Sequence, residues 1–276
     1  MHRTSGHFTV TDNRSVGSED FDTFKLTAPS DSRLPGGGNY TVTAYDVKSA
    51  KFGQVDNFVT FARNYGNQTE HYNGVDFTVD ARLRRGLTAS GGFTTGRKAT
   101  DNCEIAPKLP EMLTVAGTRQ PLEFCSLQTP FLTQLKGLAT YTLPRFGVQL
   151  AGTFQSKPTV GQNFPGIATE SLAANWVVAN SAVFLLLGRN LSGVTVATVN
   201  IVKPGTLYGQ RLNQVDFRVA KIVRFEQRRM NLSLDFYNIF NSNAIESYQQ
   251  TFGPSWLSPL GIIPARFAKL GAQFDF

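Results

Sequence analysis

The chain has 276 residues, enough for one large domain or two small ones, and 41% of them are hydrophobic. Phe (22) and Gly (25) are abundant, Met (3) and Trp (2) are scarce, and the Ala/Glu/Leu/Lys runs of a helical protein are missing, which excludes an all-helical fold and favours β-structure. The formal charge is +7, but the Lys and Arg residues stand singly, apart from the pairs Arg84-Arg85 and Arg228-Arg229 in predicted turns; no basic face interleaved with aromatics exists, which argues against nucleic acid as a partner.

Met1 to Thr9 lacks the basic-then-apolar layout of a secretory signal and reads as the start of a strand, so any export signal is expected upstream. The first strands are expected at 4–11, 39–48 and 55–64. Before the second, Gly36-Gly37-Gly38 lacks the Lys-Ser/Thr that follows a phosphate loop and suits a sharp turn into the strand beginning at Asn39. The strand at 72–83 puts Val75, Phe77, Val79, Ala81 and Leu83 on one face and Asp76, Thr78, Asp80 and Arg82 on the other, and a strand at 87–97 follows it.

Cys103 and Cys125 lie in the next polar stretch, rich in Pro and Thr. With little core nearby, a disulfide and an oxidising compartment are expected; two free thiols are the alternative, and zinc is disfavoured because neither His nor CxxC spacing is close. Strands at 131–143 and 146–156 come next. Within the following long connection, Ala173 to Leu187 is apolar without a clear period, and a further hairpin there would bring ten strands to twelve. Its densest part, Ala182 to Leu187, is far shorter than the roughly 20 residues of a membrane-crossing helix. The strand at 210–224 loses its alternation near Ala220-Lys221, which reads as a bulge or a point of exit from a bilayer. The last two strands, 229–239 and 264–276, return to strict alternation. Met230, Leu232, Leu234 and Phe236 oppose Asn231, Ser233, Asp235 and Tyr237; Ala268, Leu270, Ala272, Phe274 and Phe276 oppose Lys269, Gly271, Gln273 and Asp275.

Alternation also describes a soluble sheet with one face on a core, so the connections must decide. Short ones fall at 48–53, 84–86, 144–145 and 226–228, long ones at about 12–38, 97–130, 157–209 and 241–263, and the two kinds alternate along the chain. Only the outward connection at 65–71 is short. Such asymmetry fits an antiparallel transmembrane β-barrel with tight periplasmic turns and long extracellular loops, in a bacterial outer membrane with lipid as its partner. The residues then expected to line the lumen are Asp76, Asp80, Arg82, Lys136, Gln149, Asp216, Arg218, Asn231, Asp235, Lys269 and Gln273. Two other readings stand beside it: an adhesion or surface protein whose barrel anchors its loops, and a soluble β-sandwich enzyme or lectin.

Catalytic chemistry is not expected. His2, His7 and His71 fall in no GxSxG or HExxH pattern, and the acid pairs Asp20/Asp22 and Asp76/Asp80 read as loop and wet-face residues. No cofactor or metal is implied.

The closing Ala272-Gln273-Phe274-Asp275-Phe276, ending on Phe after alternate apolar residues, resembles the signal by which barrel-assembly machinery recognises outer-membrane proteins, with Phe274 and Phe276 as its aromatic positions. Leu234-Asp235-Phe236-Tyr237-Asn238-Ile239-Phe240-Asn241 resembles the penultimate-strand motif of TonB-dependent receptors. Thr27 to Gly38, Tyr72-Asn73-Gly74-Val75-Asp76 and Leu207 to Gln214 are similar to the Oar-like group of those receptors, whose N-terminus carries a carboxypeptidase-regulatory-like domain. The resemblance implies the C-terminal part of a 22-stranded barrel, with the plug and the segment that contacts the TonB complex lying elsewhere, and import of a scarce, bulky nutrient of unknown identity.

Overall fold

The computed structural model describes residues 1–83, 86–158, 171–225 and 228–275. Most of the chain is antiparallel β-structure. The main sheet holds eight strands in chain order: β1 (His2–Ser5), β2 (Thr69–Arg82), β3 (Leu87–Asp101), β4 (Leu132–Leu143), β5 (Val148–Pro158), β6 (Arg211–Phe225), β7 (Arg228–Tyr237) and β8 (Phe267–Asp275). Each pairs antiparallel with the next, and a short strand, Ser126–Gln128, adds to the far end of β3. The sheet is open, with β1 and β8 at its edges.

Cross-strand partners share a face, so the register sorts the side chains without ambiguity. One face carries Val75, Phe77 and Val79 of β2, then Phe93 of β3, Leu135 and Tyr141 of β4, and Leu150 and Phe154 of β5. It continues through Val215, Phe217 and Val219 of β6, Leu232, Leu234 and Phe236 of β7, and Ala268, Leu270 and Phe274 of β8. None of these side chains belongs to a buried cluster. Phe77 is 54% and Leu270 82% exposed, so among the described residues no second layer packs on this apolar face.

The connections differ sharply at the two ends. At one end they are residues 83–86, 144–147 and 226–227; at the other they are 6–68, 102–131, 159–210 and 238–266. The long ones share a core of their own. Phe24, Leu26 and Val42 come from the first; Ala174, Val178, Val183 and Ile201 from the third; Trp256 from the fourth; and Phe124 of the second packs against them. The ribbon Phe21–Thr27 with Thr41–Val47 lies in this cap, and Val196–Asn200 pairs antiparallel with Asn175–Ala179 and parallel with Thr118–Arg119. The helix α1 (Asn180–Leu187) ends at Gly188 in the left-handed conformation, with its N–H bonded to the Phe184 carbonyl. No helix among the described residues is long and apolar enough to cross a membrane.

Several expectations need correction. Of the ten strands expected to meander through one sheet, those at 39–48 and 55–64 lie outside it: Thr41–Val47 pairs with Phe21–Thr27, and Asn57–Phe61 with Thr9–Asn13. The alternation of Thr41–Val47 is that of a ribbon with one side turned to a local core, as Val42 and Ala44 against Phe24 and Leu26 show, and this pattern mimics a barrel strand; Asn57–Phe61 alternates without a buried side. The strand expected at 4–11 splits at His7, whose φ of 60° breaks the extended run. The anomalous short connection at 65–71 disappears, because β2 pairs directly with β1 and the true connection is 6–68. Ala173 to Leu187 contributes one strand and α1 to the cap and adds nothing to the main sheet. No bulge interrupts Ala220-Lys221. Pairing runs unbroken on both sides there, and Lys221 reaches from the apolar face to donate to the Phe146 carbonyl at 2.5 Å. Arg84-Arg85 and Phe276 lie outside the described residues.

Close strand packing gives a test. A Cβ on Gly92 would stand 2.0 Å from the Phe77 carbonyl oxygen, a backbone atom that cannot swing away, whereas a Cβ on Gly137 would meet nothing within 4 Å. Gly92→Ala is expected to destabilise the sheet by about 1–3 kcal/mol through overpacking. Gly137→Ala is expected to be neutral in the same thermal melt, followed by far-ultraviolet circular dichroism in detergent.

Candidate functional site

The second face of the main sheet is polar, and all eleven residues expected on a wet face stand on it. Asp76 and Asp80 of β2 face Thr94 and Ser90, Arg82 faces Thr88, and Lys136 of β4 stands between Gly92 and Gln155. Gln149 lies beside Ala220, Asp216 beside Thr153, and Arg218 between Ala151 and Asp235. Asn231 faces Gln273, and Lys269 stands across from Asp235 on the side away from Arg218. They are spread over the strands and do not converge into one cluster. Among the described residues, no group of three His, Cys, Asp or Glu side chains comes together to hold a metal ion.

The densest polar contacts fall on β6 and β7. Arg218 forks onto Asp235, with Nε on one carboxylate oxygen and Nη2 2.9 Å from the other, a bidentate geometry that fixes both side chains. Asp216 accepts from Gln214 at 2.9 Å and from the Asn238 backbone N–H at 2.8 Å, tying the end of β7 to β6. Tyr237 stacks on Phe267 with ring centroids 4.7 Å apart. A shallow hollow of about 230 Å³ opens among these groups, lined in part by Thr153, Asp216, Arg218, Asp235 and Tyr237.

A second constellation, in the cap, escaped the sequence reading. Asp46, only 3% exposed, is held between two arginines from different connections: Arg119 Nη2 lies 3.0 Å from one of its oxygens and Arg189 Nη1 2.7 Å from the other. Arg189 also donates to Asp22 at 2.8 Å and to the Asp46 and Val47 carbonyls, and the Ser192 N–H reaches Asp46 at 3.1 Å. Burial works against the Arg189 charge, but the bonds to Asp46 and Asp22 outweigh it and hold the guanidinium above its ordinary pKa. Three of the four long connections thus meet at one carboxylate. The fourth joins through Arg33, which donates to the Gly253 and Trp256 carbonyls at 3.0 Å and lies 5.4 Å from the Trp256 ring centroid, while Trp256 Nε1 donates to Ala173. The available signal was phase. Asp46 follows Val42 and Ala44 at two-residue steps, which puts an acid on the buried side of its strand.

Cys103 and Cys125 are joined as a disulfide, with Cα atoms 4.9 Å apart, at the base of the second connection. Asn102 N–H bonds to the Cys125 carbonyl there, so the link closes that connection where it leaves β3. At a neighbouring place in the cap, burial pushes the Glu111 carboxyl above the ordinary glutamate range, and the Asn13 backbone N–H bonds to it at 3.3 Å. Tyr65 donates to Asp12, and that bond pushes the phenol up to about 12. Compared with protein-family models and with curated proteins, the chain matches none.

Two outcomes are expected. Both tryptophans, Trp176 and Trp256, pack on the cap core, so tryptophan emission reports on the cap alone. Asp46→Ala leaves Arg119 and Arg189 facing each other without their shared acid and is expected to cost about 3–5 kcal/mol. The emission should then shift to the red at lower denaturant while the strand circular dichroism persists. Glu111 behaves oppositely to a salt-bridged acid. Its folded-state pKa is raised, so the stability linked to its proton is present below the unfolded value and lost as pH rises through the folded one. Glu111→Gln is expected to flatten the decline in cap stability above the ordinary glutamate value of 4.5, measured by tryptophan emission against urea at a series of pH values.

Proposed function

We propose that the chain is the C-terminal part of the β-barrel of a TonB-dependent outer-membrane receptor, completed to 22 strands by further segments, and that the receptor imports a scarce, bulky nutrient. The observation that carries this reading is the uncovered apolar face of the main sheet, whose few charges stand at its rims, backed by a face that holds most of the sheet's charge. In water such a face would be a large exposed apolar patch; in a bilayer it is the surface that lipid requires. β2, with 14 residues, and β8, with 9, are each long enough for a tilted crossing strand, which needs about 9–11 residues. Open edges cannot face hydrocarbon, because each unpaired backbone group there costs several kcal/mol, and so the reading requires partner strands for β2 and β8.

On this reading the turns at 83–86, 144–147 and 226–227 face the periplasm and the cap faces outward. Asp76, Lys136, Asp216, Arg218, Asp235 and Lys269 line a hydrated lumen, and the cap forms the outer surface that first meets the nutrient. Energy for passage comes through the TonB complex acting on a plug. The terminal strand with Phe274 and Phe276 serves barrel assembly.

A second reading, in which the barrel anchors a surface or adhesion module, is favoured by one feature: the long connections are packed on a common core, as a displayed domain would be. Cells producing the whole protein separate the two. The transporter reading expects uptake of at least one member of a panel of labelled ferric siderophores, cobalamin and oligosaccharides, abolished by a protonophore. No uptake across the panel, with adhesion that survives the protonophore, would establish the anchoring role instead.

A further inference from the structure

The carboxylates of the main sheet are sorted by face more strictly than its cations. Register puts Glu70, Asp76, Asp80, Asp216, Asp235 and Asp275 on the polar face. Among the described residues, Asp101 is the one sheet carboxylate on the apolar side, and it already accepts from the Cys103 N–H at 3.0 Å. The cations on that side stand at its two rims: Arg97 and Arg211 at the end of the long connections, Lys221 and Arg228 at the end of the turns.

The rim beside the cap is built in layers. Above the apolar band, Thr95 and Thr133 are joined at 2.8 Å and Ser156 and Asn213 at 2.6 Å. Arg211 reaches across this row, donating to Ser156 Oγ at 2.7 Å and to the Thr133 carbonyl at 2.6 Å. Arg97 lies 5.2 Å from the ring centroid of Phe131, which is itself 54% exposed. Both arginines are exposed, and neither has a carboxylate partner among the described residues. They are held in place by neutral oxygens and an aromatic ring, and their charge is left uncompensated.

We propose that this collar receives the phosphates of anionic lipid headgroups in the leaflet on the cap side. The acyl chains would lie on the apolar band, the Phe131 ring at the interface, and the phosphates on the guanidiniums, at Arg211 through Nη1, because Nε and Nη2 are engaged by Ser156 and Thr133. Arg97 and Arg211 are three strand spacings apart, roughly 14 Å, so each meets its own headgroup. The inference rests on the membrane reading above, and it adds a preference that a merely apolar belt does not have.

The whole protein, which supplies the partner strands of β2 and β8, is to be reconstituted in phosphatidylcholine vesicles and probed with spin-labelled phosphatidylglycerol and spin-labelled phosphatidylcholine. The wild type is expected to retain the anionic label preferentially at low salt. Arg97→Gln with Arg211→Gln should reduce that preference by about fivefold for each guanidinium removed. Lys221→Gln with Arg228→Gln should leave most of it, and unchanged tryptophan emission reports an intact cap in both variants. In the wild type itself, molar salt should erase the preference, because screening then acts within about 3 Å. Insertion with no preference, a preference that survives molar salt, or one unchanged in the collar variant would overturn the proposal while leaving the membrane reading in place. Failure to insert in any vesicle would overturn the membrane reading first, and the collar with it.

Discussion

A single-layered sheet with one uncovered apolar face is the constraint from which the rest of this molecule follows. Hydrophobic side chains such as Phe77, Leu232 and Leu270 touch only neighbours on their own face and stay largely exposed, so the favourable transfer of this surface out of water must be supplied by something outside the described residues. On the reading proposed above, lipid would meet that need over the whole face at once. It would also account for the polar character of the residues that alternate with them, because a sheet closed by further strands would have an inside, and the inside would be wet.

The cap follows from the same constraint by contrast. The long connections cannot rest on the apolar face, and they cannot leave their own backbone groups unpaired. They therefore pack on one another, with Trp256, Phe24 and Val42 inside. Asp46 with its two arginines gives the arrangement a fixed geometry, because a buried acid tolerates only the placement that keeps both partners in reach. Arg33 on Asp31 and the Trp256 region closes the circuit, and its bond holds the Asp31 carboxyl below its ordinary range. The cap is consequently a body with its own cooperative contacts, joined to the sheet through strand ends, and the Cys103–Cys125 link closes its second connection where it leaves β3.

What was legible in the sequence was set by physical range. A period of two is local, so β2, β3, β4, β5, β6, β7 and β8 could be placed within a few residues and their wet faces named side chain by side chain. Pairing is not local. Nothing in Thr41–Val47 says that its partner is Phe21–Thr27 and not a sheet neighbour, because Val42 and Ala44 look the same beside a core as beside lipid. The arginines of the cap were invisible for a related reason: Arg119 and Arg189 stand alone in polar stretches, and only the folded cap brings them to Asp46. Lys221 misled in a third way. Its charge on an apolar face read as a bulge or as the strand's exit from a bilayer; there is no bulge, and its long stem lets the amine leave the apolar face and bond to the Phe146 carbonyl.

The most direct measurement of the central claim is site by site along β7. Because Cys103 and Cys125 are joined, single introduced cysteines at positions 230 to 237 can carry a nitroxide label in the whole protein, freed of any other thiol and reconstituted in lipid. Collisions with oxygen, which concentrates in lipid, and with a water-soluble nickel chelate are then compared. Labels at Met230, Leu232, Leu234 and Phe236 should be open to oxygen, and labels at Asn231, Ser233, Asp235 and Tyr237 to nickel. Labels at Leu232 and Leu234 that are immobile and shielded from both reagents would mean that a protein layer covers this face, and the account would be wrong.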